Sequence, residues 1–168
     1  MGKITRGLDK IEVGDVAADG GPGASLDVLG KTDRDSPVTM VEADPTIDRL
    51  YSHEDDDPLD TLVTAGEKPF LFTVVDPTLA TLATIFGGAV TGSGNAATYH
   101  LPSSKAIKNQ TVKITPKKGL VITVVNGALY GKINADFARA GKFAVDVVVE
   151  PQKPTKAATG AIIWGPEV

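Results

Sequence analysis

The stretch from residue 111 to residue 150 constrains the fold more than any other. TVKIT (111–115) and LVITVVN (120–126) flank Pro116-Lys117-Lys118-Gly119, which reads as two strands and a turn. ALYGKINA (128–135) and FAVDVVVE (143–150) continue as further strands. Their β-branched side chains suit a pleated, half-buried surface. The same texture runs through the first half. DKIEVGDVAA (9–18), SLDVLG (25–30), VTMVEA (38–43), TIDRLYS (46–52), LDTLVTA (59–65) and PFLFTVV (69–75) are strand candidates, and AIIWG (161–165) is a last one. VTMVEA and TIDRLYS are expected to pair across Asp44-Pro45. PFLFTVV is almost wholly apolar, which predicts burial on both faces.

The period changes only once. In DPTLATLATIFGG, Leu79, Leu82, Ala83 and Phe86 fall at helical spacing and form one apolar stripe. Asp76 is the expected N-cap, Pro77 the first helical residue and Gly87-Gly88 the stop, so a helix is predicted over 77–86. AVTGSGNAA (89–97) and PQKPTKAATG (151–160) read as loop and linker. The expected fold class is therefore mainly β: an antiparallel β-sandwich or open barrel with one flanking α-helix. A length of 168 residues suits a single domain, 1–168. Residues 1–24 and 151–168 are expected to be flexible segments that act as assembly arms.

Composition narrows the chemistry. There is no cysteine, hence no disulfide and no thiolate metal site. The start, MGKITRGLDKIEVGD, lacks an apolar signal region, and no run reaches the ~18 apolar residues of a membrane span, so a soluble protein made in a cytoplasm is expected. SLDVLGKT (25–32) has Ser25 where a P-loop needs glycine, and Pro37 opposes the helix that must follow. His53 and His100 are the only histidines. EF-hand loops need a central glycine and a terminal glutamate, which YSHEDDDPLD (51–60) lacks. No nucleophile elbow surrounds Ser93, Ser103 or Ser104. Lys105, Lys108, Lys113, Lys117 and Lys118 cluster near one hairpin, but the chain is acidic and poor in aromatics for base stacking. Nothing favours an enzyme, a cofactor or a metal.

Charge is distributed unevenly. Residues 1–80 hold 7 Lys+Arg and 17 Asp+Glu, a net of 7 − 17 = −10, while residues 81–168 hold 10 and 4, a net of +6. Such a division invites electrostatic pairing between copies of the chain, or between one face and a charged partner. The densest part of the acidic half is Glu54, Asp55, Asp56 and Asp57.

The order of these features resembles the major tail tube protein family of long-tailed bacteriophages, over roughly residues 25–150. Leu29, Gly30 and Thr32 match a conserved-looking stretch ahead of an acidic region in that family. Phe72, Asp76, Leu79, Leu82, Gly87 and Gly88 match its strand-to-helix step. The resemblance implies two antiparallel sheets with a flanking helix, six subunits to a ring, and rings stacked into a tube that conducts the genome into the host. It implies a virion tail protein assembled in the bacterial cytoplasm. Its partners would be other copies of itself and the tape-measure, tail-terminator and baseplate or tail-tip proteins, with DNA only in transit and no membrane. The alternatives are another β-sandwich virion or injection-system component, such as a tail terminator, head–tail joining protein or contractile injection tube, or a non-catalytic binding module.

Two sets of residues carry that expectation. A channel that passes DNA benefits from acidic walls, which repel phosphate. Glu42, Asp44 and Asp48 are the candidates to face such a lumen. Stacked heterologous rings present different surfaces at their two ends. Glu54, Asp55, Asp56 and Asp57 are the candidates to meet Lys117 and Lys118 of the next ring.

Overall fold

A computed structural model describes residues 4–104, 107–139 and 141–168. Its elements in chain order are β1 (Arg6–Asp15), β2 (Asp27–Val28), β3 (Thr39–Met40), β4 (Thr46–Leu50), β5 (Asp60–Thr64), β6 (Phe70–Val74), α1 (Leu79–Phe86), β7 (Ala89–Thr91), β8 (Thr98–His100), β9 (Lys108–Lys118), β10 (Leu120–Ala135), β11 (Phe143–Pro151) and β12 (Ile162–Glu167). The chain is mainly β, every strand pair is antiparallel, and α1 is the single α-helix among the described residues.

The main sheet runs β2-β1-β9-β10-β11-β6-β3, with β12 attached to β10. Its two edges are tied together by residues 27–33. β2 pairs with β1, and Leu29 N–H donates to Ile11 O at 3.0 Å. A few residues on, Thr32 bridges Val74, Asp33 N–H donates to Thr73 O at 2.8 Å, and Val75 N–H donates to Lys31 O at 2.9 Å. One segment thus satisfies backbone groups of β1 and β6, and the sheet curls into a barrel. Edge strands are a liability that such closure removes. Between the two ties sits Gly30 at φ +132°, a conformation that favours glycine. The Asp76 carboxylate accepts from Lys31 N–H beside it, so Asp76 holds the closure instead of capping the helix.

The core fills the barrel. Ile11 and Val13, Phe70, Phe72 and Val74, Val112 and Ile114, and Val145, Val147 and Val149 are buried at alternate positions of four strands, as a period of two requires. β6 departs from the expected two-sided burial only at Leu71, which is 42% exposed.

β10 merges two expected strands into one of 16 residues. Its register slips between Val124 and Gly127, where it also changes neighbour: Leu120–Val124 lie beside β12 and Gly127–Ala135 beside β11. A bulge of this kind bends a strand and raises its twist. Gly127 permits the bend, because a Cβ there would lie 2.6 Å from Val149 Cγ1.

α1 closes one end of the barrel. Thr78 is its N-cap, accepting from Thr81 N–H at 3.1 Å, and Gly87 ends it at φ 77°. The buried Thr81 hydroxyl donates to Leu29 O at 2.8 Å, which docks the helix on the closing segment. Ile85 and Phe86 enter the core above Gly131. A Cβ on Gly131 would come within 2.5 Å of Ile85 Cγ2. Gly131→Ala should therefore push α1 outward and cost about 1–3 kcal/mol of stability, read as a shift in the urea midpoint.

Two segments expected to be terminal arms contain paired strands. β1 is an inner strand of the barrel, and β12 lies along β10. Within the loop expected at 89–97, Ala89–Thr91 form β7, which pairs with β8 just beyond it around Gly94–Ala96. No helix among the described residues is long and apolar enough to cross a membrane.

Candidate functional site

A hairpin stands away from the barrel. β4 pairs with β5, not with the residues of β3 as expected, and the two form a separate two-stranded sheet. Asp44-Pro45 therefore lies at the root of the outgoing limb, and YSHEDDDPLD makes the tip. The limbs close at the base, where Ala43 N–H donates to Glu67 O at 2.9 Å and Lys68 pairs with Glu42 at 3.0 Å.

Every residue of β4 and β5 is exposed. Residues directly opposite in an antiparallel pair share a face. Ile47 with Val63 therefore occupies one face, and Asp48 with Leu62 and Leu50 with Asp60 the other. Leu50, Leu62 and Val63 are 64%, 63% and 58% exposed, so large apolar groups project on both sides of the arm. An isolated two-stranded hairpin is marginal in water. An apolar one with no cover is a surface made to be covered.

The arm gathers all the acidic candidates. Glu42 and Asp44 lie at its base, Asp48 is midway along β4, and Glu54, Asp55, Asp56 and Asp57 form the tip. Ser52 organises the tip: its hydroxyl oxygen accepts from Asp55 N–H at 3.0 Å and from Glu54 N–H at 3.3 Å. Residues 41–68 carry 9 Asp+Glu against Arg49 and Lys68, a net of 2 − 9 = −7. The whole chain is −4, so everything outside the arm sums to −4 + 7 = +3. Of the −10 carried by residues 1–80, the arm holds −7, so the acidic half is concentrated in the arm.

At the arm's root the barrel is open. A cavity of about 570 Å³ lies between the starts of β1, β6 and β10, the end of β9, and residues 32–34 and 36–40, which run from the closing segment into β3. Leu8, Val38, Met40, Phe70, Ile114 and Ile122 form its apolar wall, and Arg6 and Arg34 stand on its rim. No residue of the arm between 41 and 68 lines it.

Lys117 and Lys118 sit in the exposed β9–β10 turn at this same end. The turn is held by Val168, which exchanges backbone hydrogen bonds of 3.0 and 2.8 Å with Gly119, and by Thr5, whose hydroxyl accepts from Leu120 N–H at 3.0 Å. β9 and β6 are three steps apart around the barrel in either direction, so these lysines and the arm flank opposite sides of the mouth. Lys105 lies outside the described residues. Lys108 is at the helix end, where its ammonium donates to Ala83 O at 3.1 Å.

The β10–β11 turn carries groups that sequence reasoning missed. The turn between β10 and β11 exposes Phe137 to 86%, more than any other large apolar side chain among the described residues. Lys132 and Arg139 are exposed beside it. Lys142 of the same turn donates to the Asp33 carboxylate and holds that carboxyl below the usual range, pinning the turn to the closing segment. Among the described residues, no group of three or more His, Asp or Glu side chains is placed to hold a metal ion. Compared with known proteins, the chain matches no family model and no curated sequence.

Proposed function

We propose that this chain is a structural subunit that assembles with copies of itself into stacked rings, forming a tube of the kind found in phage tails. The observation that carries this reading is the arm: two strands with apolar groups on both faces and a net charge of −7, unpartnered on a body of net +3. A subunit with these two parts is self-complementary, and a heterologous contact of that kind propagates into rings or filaments. The resemblance to tail tube proteins supplies the architecture, with Glu42, Asp44 and Asp48 as acidic groups toward the channel and DNA as passing cargo. On this reading the protein works in the virion tail, beside tape-measure, terminator and tail-tip proteins, and does no catalysis.

Electron microscopy of the purified protein tests the reading. Rings about 100 Å across, the size that six domains of this length give, support it. A strict monomer at millimolar concentration and low salt contradicts it. The variant carrying Asp55→Asn, Asp56→Asn and Asp57→Asn should keep the fold, since all three side chains are exposed. Its assembly should lose most of its salt dependence.

A further inference from the structure

A second cavity, of about 590 Å³, lies between the end of β1, residues 23–25 and 27–29, the first two turns of α1 and the start of β9. Its volume is of the size that small-molecule sites have, roughly 300–1,000 Å³. The strand register shows what lines it. Val13 stands opposite Asp27 on β2 and Val112 on β9, and Asp15 stands opposite Gln110. Cross-strand partners share a face, and so do residues two apart on one strand. Val13 and Val112 are buried in the core, so Asp15, Asp27 and Gln110 belong to the same inward face. They form a polar layer where the apolar core ends.

Gln110 is the group that asks for a partner. It is 6% exposed, and its amide oxygen has no hydrogen-bond partner among the described residues. Buried side-chain acceptors are seldom left so, because the lost hydration is not replaced. Its neighbour on the other side is Gly127 of β10, which offers no side chain to meet it. Asp15 and Asp27 are exposed at the rim, and neither has an ion-pair partner among the described residues. Lys108 also lines the cavity, but its ammonium donates to Ala83 O at 3.1 Å.

We propose that this cavity binds a small organic cation, an alkylammonium or guanidinium with several N–H donors, anchored on the Gln110 amide oxygen and balanced by Asp15 and Asp27. All three groups accept hydrogen bonds, so the ligand must donate, and bonds to a charged donor are roughly twice as strong as neutral ones. A helix N-terminus favours an anion. Here, however, Thr78 already caps α1 by accepting from Thr81 N–H at 3.1 Å, and two carboxylates oppose a negative ligand. The site goes beyond the assembly reading and does not depend on it. The cation is either a free small molecule or a lysine or arginine side chain of a second copy, and the chemistry that holds it is the same.

Titration calorimetry with agmatine, which carries a guanidinium and an ammonium, tests the site on the full chain. Agmatine should bind and raise the melting temperature, while inorganic phosphate and the neutral polyol erythritol should do neither. Gln110→Leu replaces an orphaned amide by an apolar group of like size, so the melting temperature should hold or rise. Agmatine should bind this variant about tenfold or more weakly. A Gln110 of structural value alone would change stability and leave that affinity untouched, which overturns the proposal. Asp15→Asn with Asp27→Asn should keep the fold, since both side chains are exposed. This double variant should lose the salt dependence of binding along with most of the affinity. No agmatine binding at millimolar concentration means a cavity that holds only water and overturns the proposal, and so does tighter binding of phosphate or erythritol. The source of the cation is read from sedimentation velocity. Agmatine that blocks assembly marks a basic side chain of a second copy in the site, and assembly unchanged at saturating agmatine marks a free small molecule. A protein that binds agmatine yet never assembles leaves this site standing and removes the tube reading.

Discussion

Excising residues 44–65 and joining Ala43 to Gly66 through an Asn-Gly turn should give a folded barrel that no longer assembles. The surgery is local. Ala43 and Gly66 already touch, since a Cβ built on Gly66 would fall 1.8 Å from Ala43 O. Ala43 N–H also donates to Glu67 O just below the cut. A two-residue Asn-Gly loop is the connection that antiparallel limbs at this spacing accept most readily. No residue between 41 and 69 belongs to the buried core. The melting temperature should therefore stay within about 4 °C of the parent, the shift that ~1 kcal/mol produces in a domain of this size. Circular dichroism checks that half. Sedimentation velocity checks the other: the excised protein should run as a monomer where the parent forms rings or larger species. A protein that assembles normally without its arm would remove the observation on which the proposed function stands.

The arm also shows where a local reading of sequence reaches its limit. Strand content was legible because alternation is a local property, and β6, β9 and β11 appear close to where their β-branched runs predict them. The helix was legible for the same reason, although its cap is Thr78, because Asp76 is taken up by Lys31 N–H in closing the barrel. Pairing is not local. TIDRLYS was expected to fold back on VTMVEA across Asp44-Pro45, yet it pairs with DTLVT and leaves the acidic run as the tip. The segment 27–33 touches β1 and β6 at once, a closure visible only when both edges are in view. LVITVVN and ALYGKINA were expected as two strands, but they form one bent strand with a bulge at Gly127, which passes close to Val149. Of the site, the acidic tip was legible as charge. Phe137 was not, since a lone aromatic between two strands carries no pattern until the loop around it is seen to be bare.

Phe70→Ala should have the opposite effect to the excision: the arm intact, the barrel badly weakened. Phe70 is 1% exposed and heads the fully buried side chains by volume. It stands opposite Val149 on β11 and Met40 on β3, and it also forms part of the mouth's wall. Truncation removes the ring's burial and leaves a void that the strands, fixed by their hydrogen bonds on both sides, can only partly close. The expected loss is about 3–5 kcal/mol, a large share of the ~5–15 kcal/mol that holds a domain together. Urea unfolding should show a lower midpoint with an unchanged slope. The neighbour supplies the control. Leu71 is the same strand's next residue, but its side chain points to the other face and is 42% exposed. Leu71→Ser should cost about 1 kcal/mol or less. If the two substitutions cost the same, β6 is not seated in the barrel with Phe70 facing inward and Leu71 facing out.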